Sequence, residues 1–126
     1  MEKVIIIGNT GFVGSWLTEY LLLENRYLIH GYGLKPNTSP SLFKILKHEN
    51  RISSQTFADI LNQEKLLNFI KKTKPNKIIY LASQPLVKES LDNPKETFLV
   101  NNIGLVNFLE TIRLHTNNNI LKKIMR

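Results

Sequence analysis

The 126-residue chain contains no cysteine. That excludes disulfides, a cysteine-ligated metal and a thiol nucleophile. Its histidines, His30, His48 and His115, are far apart and lack metal-ligand spacing, so no metal site is expected. His30 is expected near a strand and the other two on the surface. No apolar run is long enough to cross a bilayer. The start, Met1-Glu2-Lys3, passes straight into an apolar strand, without the basic, apolar and small-residue layout of a secretory signal. A cytoplasmic protein is the default expectation. Ser83 lacks a glycine-elbow context and reads as loop, not nucleophile.

Carboxylates are also scarce. Ten Asp and Glu stand against 17 Lys and Arg, a net charge of +7. Such an excess raises the question of a nucleic-acid surface. The lysines, however, are dispersed. Lys71, Lys72 and Lys74 fall at the end of a predicted helix, where cations are favoured by the helix dipole. The charge is read as a solvated basic face, with no nucleic-acid or membrane partner expected. Apolar residues at 42% and aromatics at 9% are ordinary for one modest globular domain.

What is present is concentrated near the start. Val4-Ile5-Ile6-Ile7 is a β-branched run that reads as a buried strand. Gly8-Asn9-Thr10-Gly11-Phe12-Val13-Gly14 follows, and Ser15-Trp16-Leu17-Thr18-Glu19-Tyr20-Leu21 then has helical spacing. Strand, glycine turn and helix in this order constitute a dinucleotide-binding hypothesis. Gly8 allows a sharp exit from the strand. Gly11 removes a side chain where backbone must approach a pyrophosphate, and Gly14 allows close helix–strand packing. The free N–H groups of the first helical turn would face the anion.

Downstream, strands and helices alternate. Strands are predicted over residues 3–8, 27–32, 52–57 and 77–82, the third weaker and more polar, as suits an edge. Helices are predicted over 12–25, 41–46, 63–72 and 95–115. Leu66, Leu67, Phe69 and Ile70 form the apolar face of the third helix. Phe98, Leu99, Ile103, Val106, Leu109 and Ile112 form a broad stripe on the last. This pattern implies an α/β fold, a doubly wound parallel sheet of order 3-2-1-4, with a ligand at the carboxyl ends of the strands. Residues 120–126 are too few to classify.

The spacing G-x-x-G-x-x-G resembles the extended short-chain dehydrogenase/reductases. Longer segments resemble the CDP-glucose 4,6-dehydratases within the NAD-dependent epimerase/dehydratase family. These are Gly8 to Leu17, His30-Gly31-Tyr32-Gly33-Leu34, Pro40-Ser41-Leu42-Phe43, Asp59-Ile60, Leu81-Ala82-Ser83-Gln84-Pro85-Leu86-Val87, and Asn93 to Glu110. The resemblance implies a partial Rossmann-type domain over residues 1–126, a truncated half whose nucleotide-sugar lobe is absent. It implies bound NAD, with NADP behind it. In the family, NAD oxidises the glucose C4 hydroxyl, water leaves across C5–C6, and the hydride returns to C6. By position, Gly8, Asn9, Thr10, Gly11, Phe12 and Gly14 would line the pyrophosphate. Asp59 and Ile60 would flank the adenine, with Asp59 accepting from its amino group. Leu81, Ala82, Ser83 and Gln84 would line the ribose and nicotinamide, and Asn101 would steady the active-site region.

The sequence departs from that family in several places. Val13 stands where a lysine is common, and Leu105 where a threonine is. No acid ends strand two, so the usual clamp on the NAD 2′-hydroxyl is missing, and Lys35 there reads as a solvated lysine. The superfamily's Tyr-x-x-x-Lys pair is absent: the positions four beyond Tyr20, Tyr27, Tyr32 and Tyr80 hold Glu24, Gly31, Pro36 and Gln84. No catalytic residue is therefore assigned. Two functions stand: the cofactor-binding part of a dehydratase, inactive alone and taking a nucleotide-sugar only if a C-terminal half completes it, or a non-catalytic dinucleotide-binding or dimerisation module. The apolar stripe of 95–115 serves either a core or a homodimer. Without a fifth strand, residues 78–81 would leave a bare apolar edge, making the isolated chain marginal or oligomeric.

Overall fold

The computed structural model describes residues 1–83, 86–115 and 124–125. In chain order they form β1 (Glu2–Ile7), α1 (Phe12–Leu23), β2 (Tyr27–Gly33), α2 (Leu42–Ile45), a 3-10 turn (His48–Asn50), β3 (Ser54–Phe57), α3 (Gln63–Thr73) and β4 (Lys77–Tyr80). Then come α4 (Val87–Asp92), α5 (Pro94–Phe98), a π-helical stretch (Leu99–Ile103), α6 (Gly104–His115) and β5 (Ile124–Met125). The strands pair in parallel in the order β3-β2-β1-β4-β5. This is the doubly wound, Rossmann-like sheet expected, with the polar strand at one edge. The 3-2-1-4 order is extended, however. Ile124 pairs with Ile78 and Met125 with Ile79, so the edge expected to be bare is covered there. Unpaired N–H and C=O groups on a hydrophobic strand favour such pairing, and a two-residue strand is too short for periodicity to announce.

Both faces of the sheet are covered, as suits a central strand that is apolar and buried from Val4 to Ile7. Ile5 and Ile7 point to one side and pack with Tyr32, Leu66, Ile70, Ile78, Phe108 and Ile112. Val4 and Ile6 point to the other, with Leu21, Ile29 and Ile52. Helix α3 begins where the Asn62 side chain accepts from the Lys65 N–H at 3.1 Å, and ends at Lys74 with φ of 50°. Its buried residues are Leu66, Phe69, Ile70 and Thr73.

Helix α6 turns differently from expectation, and α1 buries few of its apolar residues. Helix α1 buries Gly14, Ser15, Thr18 and Leu21, and exposes Phe12, Val13, Trp16, Tyr20 and Leu23. Close approach of its first two turns to the sheet leaves room there only for small residues, Gly14, Ser15 and Thr18. Helix α6 buries Gly104, Phe108, Thr111 and Ile112, so of the expected stripe only Ile112 joins the core. Phe98, Ile103, Val106 and Leu109 are exposed. The π-helical stretch puts residues 98–103 out of step with α6, and within α6 the inward arc runs through residues 104, 108, 111 and 112, which leaves Val106 and Leu109 outside it.

His48 was expected at the surface and is fully buried. Its Nε2 lies 2.9 Å from the Glu19 carboxylate, which also accepts from Arg51 at 2.8 and 3.1 Å. Phe43 meets the imidazole edge-on at 5.9 Å. These contacts tether the segment between β2 and β3 to α1.

Candidate nucleotide-binding site

The carboxyl ends of β2, β1 and β4 meet at the glycine turn. The Gly8 N–H donates to the Tyr32 carbonyl at 2.8 Å, and the Leu81 N–H to the Ile7 carbonyl at 2.7 Å. Gly8 has φ of +91°, and a Cβ there would lie 2.8 Å from the backbone of Leu81 and Ala82. The turn is thus pressed against the exit of β4, and only glycine meets both demands. A Cβ on Gly14 would lie 2.0 Å from the Gly8 carbonyl oxygen, so Gly14 sets how closely α1 approaches.

Gly11 is different. It is exposed, and a Cβ would meet only the Gly8 oxygen, at an ordinary 3.5 Å. The protein itself does not require a glycine there. Gly11 is the N-cap of α1 in an extended conformation and offers no side-chain cap. The first intrahelical bond runs from the Ser15 N–H to the Gly11 carbonyl at 2.9 Å. The N–H groups of Phe12, Val13 and Gly14 therefore have no acceptor within the helix. A bare glycine over an uncapped helix start of positive potential fits a pyrophosphate.

The surrounding side chains hold this turn rather than fill it. Asn9 is fully buried, and its Nδ2 donates to Gln55 Oε1 at 2.7 Å, so its side chain serves the turn and not a ligand. That pair lies directly over Gly31, where a Cβ would be 2.3 Å from each side chain. Thr10 Oγ1 donates to the Leu34 carbonyl at 2.7 Å and ties the turn to the loop beyond β2. Ser15 Oγ donates to the Asn9 carbonyl at 3.2 Å. Gln55 and Gly31 are supports that the sequence reading did not single out. Their signal is the polar β3 and the one glycine inside an apolar strand.

Of the adenine candidates, Asp59 is half-buried and Ile60 buried. Asp59 Oδ1 accepts from the Leu61 N–H at 2.9 Å, and the Asp59 carbonyl accepts from the Tyr32 hydroxyl at 3.2 Å. Burial, and then the Asp59 charge, push the Tyr32 phenol up to about 12. The Asn107 amide donates to the Ile60 carbonyl at 2.6 Å, fixing this segment against α6. Leu81 and Ala82 are half-buried beside Gly8, and Ser83 is exposed. Gln84 lies outside the described residues. Among the described residues, no group of three or more His, Asp or Glu side chains is placed to hold a metal ion, and no helix is long and apolar enough to cross a membrane.

The fold and the turn define a protein of the Rossmann nucleotide-binding class. Comparison narrows this. Residues 5–125 match the family model for GDP-mannose 4,6 dehydratase, and the chain belongs to that family. It is 40% identical over 112 residues to the CDP-glucose 4,6-dehydratase of Salmonella typhimurium, covering 89% of this chain and 31% of that protein. It is 31% identical to the GDP-mannose 4,6-dehydratase of Yersinia enterocolitica, over 91% of this chain and 32% of the relative. Among solved structures, the UDP-glucose 4-epimerase of Brucella ovis in complex with NAD superposes with a TM-score of 0.72 at 28% identity, covering 91% of this chain and 33% of the epimerase. The chain spans about a third of the length of the curated relatives it matches.

Proposed function

We propose that this chain is the NAD-binding N-terminal portion of a nucleotide-sugar 4,6-dehydratase acting on CDP-glucose, a cytoplasmic enzyme. Residues 1–126 are one nucleotide-binding half-domain, and the chain turns over substrate only with a C-terminal half that supplies the Tyr-x-x-x-Lys pair and the sugar lobe. The observation that carries the reading is Gly11, a glycine the protein's own packing does not need, at an uncapped helix start. Gly8, Asn9, Thr10, Gly11, Phe12 and Gly14 hold the pyrophosphate mainly through backbone. Asp59 and Ile60 take the adenine, and Leu81, Ala82, Ser83 and Gln84 the ribose and nicotinamide. When bound, NAD supplies a reversible hydride acceptor for the sugar. The residues of this chain orient it and supply no proton.

Two copies pair through the 95–115 helix, a reading supported by the exposed Phe98, Val106 and Leu109. The test is calorimetric titration with NAD. Saturable binding that Gly11→Val abolishes, with no turnover of CDP-glucose, is the expected result. Folded protein that ignores NAD overturns the reading.

A further inference from the structure

Helix α1 carries an apolar stripe that no element among the described residues covers. Phe12, Val13, Trp16, Tyr20 and Leu23 are 54–74% exposed. On an α-helix these positions lie opposite the buried Gly14, Ser15, Thr18 and Leu21, so the stripe points out from the sheet. Phe12 to Leu23 holds one charge, Glu19, whose carboxylate is turned aside to His48 and Arg51. A helix that is apolar all round is ordinarily buried all round. With about 150–250 Å² to a whole aromatic side chain, the five residues leave roughly 600 Å² bare on each copy. That matches the largest apolar patch of a typical monomer, about 300–600 Å², which is often functional. Two copies laid face to face would cover roughly 1,200 Å², the lower end of a stable interface.

The stripe is nearly symmetric about its own middle. A two-fold axis between Trp16 and Tyr20 sets Trp16 of one copy against Tyr20 of the other, and Phe12 against Leu23, with the helices antiparallel. Every contact is then aromatic or aliphatic, and the opposed helix dipoles add a small attraction. A bilayer suits the stripe less: an interfacial helix carries Lys and Arg on its polar face, and residues 12–25 contain neither. A C-terminal half that extends the sheet beyond β5 builds on the edge remote from α1, whose Leu21 packs with Val4, Ile6 and Ile29 of β1 and β2. The face is also separate from the 95–115 pairing, because α6 joins the core on the other side of the sheet, with Ile5 and Ile7. We propose that a second copy of this chain docks α1 against α1, with Trp16 at the centre of the contact.

Trp16 is the chain's one tryptophan, so its fluorescence reports this face alone. The experiment follows Trp16 emission and sedimentation mass over about 1–100 µM protein, the range in which a small interface dissociates. It uses the wild type and a Leu109→Glu background that removes pairing through 95–115. In both, the emission shifts to the blue and the mass rises with concentration, and dilution reverses both. Tyr20→Glu weakens association at least about ten-fold, as loss of a central aromatic anchor does. Trp16→Lys does the same, read by mass. The double variant, Trp16→Lys with Tyr20→Glu, regains association, because opposite charges then face each other across the axis, and raised salt weakens it. Both positions are exposed, so the variants keep the fold, which circular dichroism verifies. Emission that stays solvent-like at every concentration overturns the inference, as does a rise in mass that leaves the emission unmoved. A blue shift produced only by anionic vesicles assigns the stripe to a membrane and overturns it too. A double variant that stays dissociated overturns the antiparallel pairing. Each of these results leaves the NAD reading standing.

Discussion

The glycine turn makes separable predictions for folding and for binding. A Cβ on Gly14 would lie 2.0 Å from the Gly8 carbonyl oxygen and 2.7 Å from the Asn9 Cα, all rigid backbone. Relief requires α1 to move off the sheet, and α1 also carries Leu21 into the core beside Val4 and Ile6. Overpacking typically costs ~1–3 kcal/mol, and a backbone collision lies at or beyond the upper end. Against a total stability of ~5–15 kcal/mol this is a large fraction. For a domain of this size ~3 kcal/mol corresponds to a Tm lowered by roughly 10 °C. A Cβ on Gly11 meets one atom at 3.5 Å. Alanine is the poorer N-cap but reduces the entropy of the unfolded chain, and these offset to within ~1 kcal/mol. Thermal and urea unfolding followed by circular dichroism, beside calorimetry with NAD, separates the two. Gly14→Ala should lose stability. Gly11→Ala should keep it and lose NAD affinity at least ten-fold, because the methyl fills the pyrophosphate cradle. Equal destabilisation by both substitutions, or unimpaired NAD binding by Gly11→Ala, refutes the assignment.

Two further predictions concern buried polar groups. The Tyr80 hydroxyl is buried without a hydrogen-bond partner, its ring stacks on Phe108 at 4.7 Å, and burial pushes its pKa up to about 12. Tyr80→Phe should therefore be neutral or stabilise by up to ~2 kcal/mol in urea unfolding, and a loss above ~1 kcal/mol would reveal a partner. His30 Nδ1 meets Ser54 Oγ at 2.7 Å while its Nε2 is buried and unpartnered. Burial, and then the Lys3 charge, hold its pKa below the usual histidine value. The unfolded chain thus binds the proton more readily, so this contribution is complete above pH ~6.5 and is lost as pH falls below it. A second loss follows lower, beginning in the usual carboxylate range and continuing as pH falls below it, because the hydrogen bond from Arg51 holds the Glu19 pKa down. Urea unfolding across pH 7.5 to 5 should show a slope that His30→Gln reduces; identical slopes would exclude His30 as its source.

Much of the architecture was legible because it depends on local pattern. Val4 to Ile7 announced a strand buried on both faces, and the Gly8 to Gly14 spacing announced its turn and helix. The apolar positions 66, 67, 69 and 70 announced α3, and its Asn62 cap was not read from the sequence. The misses share a cause. The inward face of α6 depended on contacts distant in sequence, Gly104 close against Ile60 and Phe108 stacked on Tyr80. The burial of His48 depended on Glu19, 29 positions from His48 and 32 from Arg51. Helix α4 was not anticipated, having no buried residue to mark a face.

The sequence by itself determined the order of elements, the family resemblance and the place of the glycine turn, since each is written in contiguous residues. Only the tertiary structure decided how strictly the fold itself requires each glycine. Gly8 and Gly14 are demanded by backbone from β4 and from the turn itself, while Gly11 faces open space. Steric necessity is a property of what lies opposite, and Leu81 and Ala82 come to lie opposite Gly8 only when β4 pairs with β1.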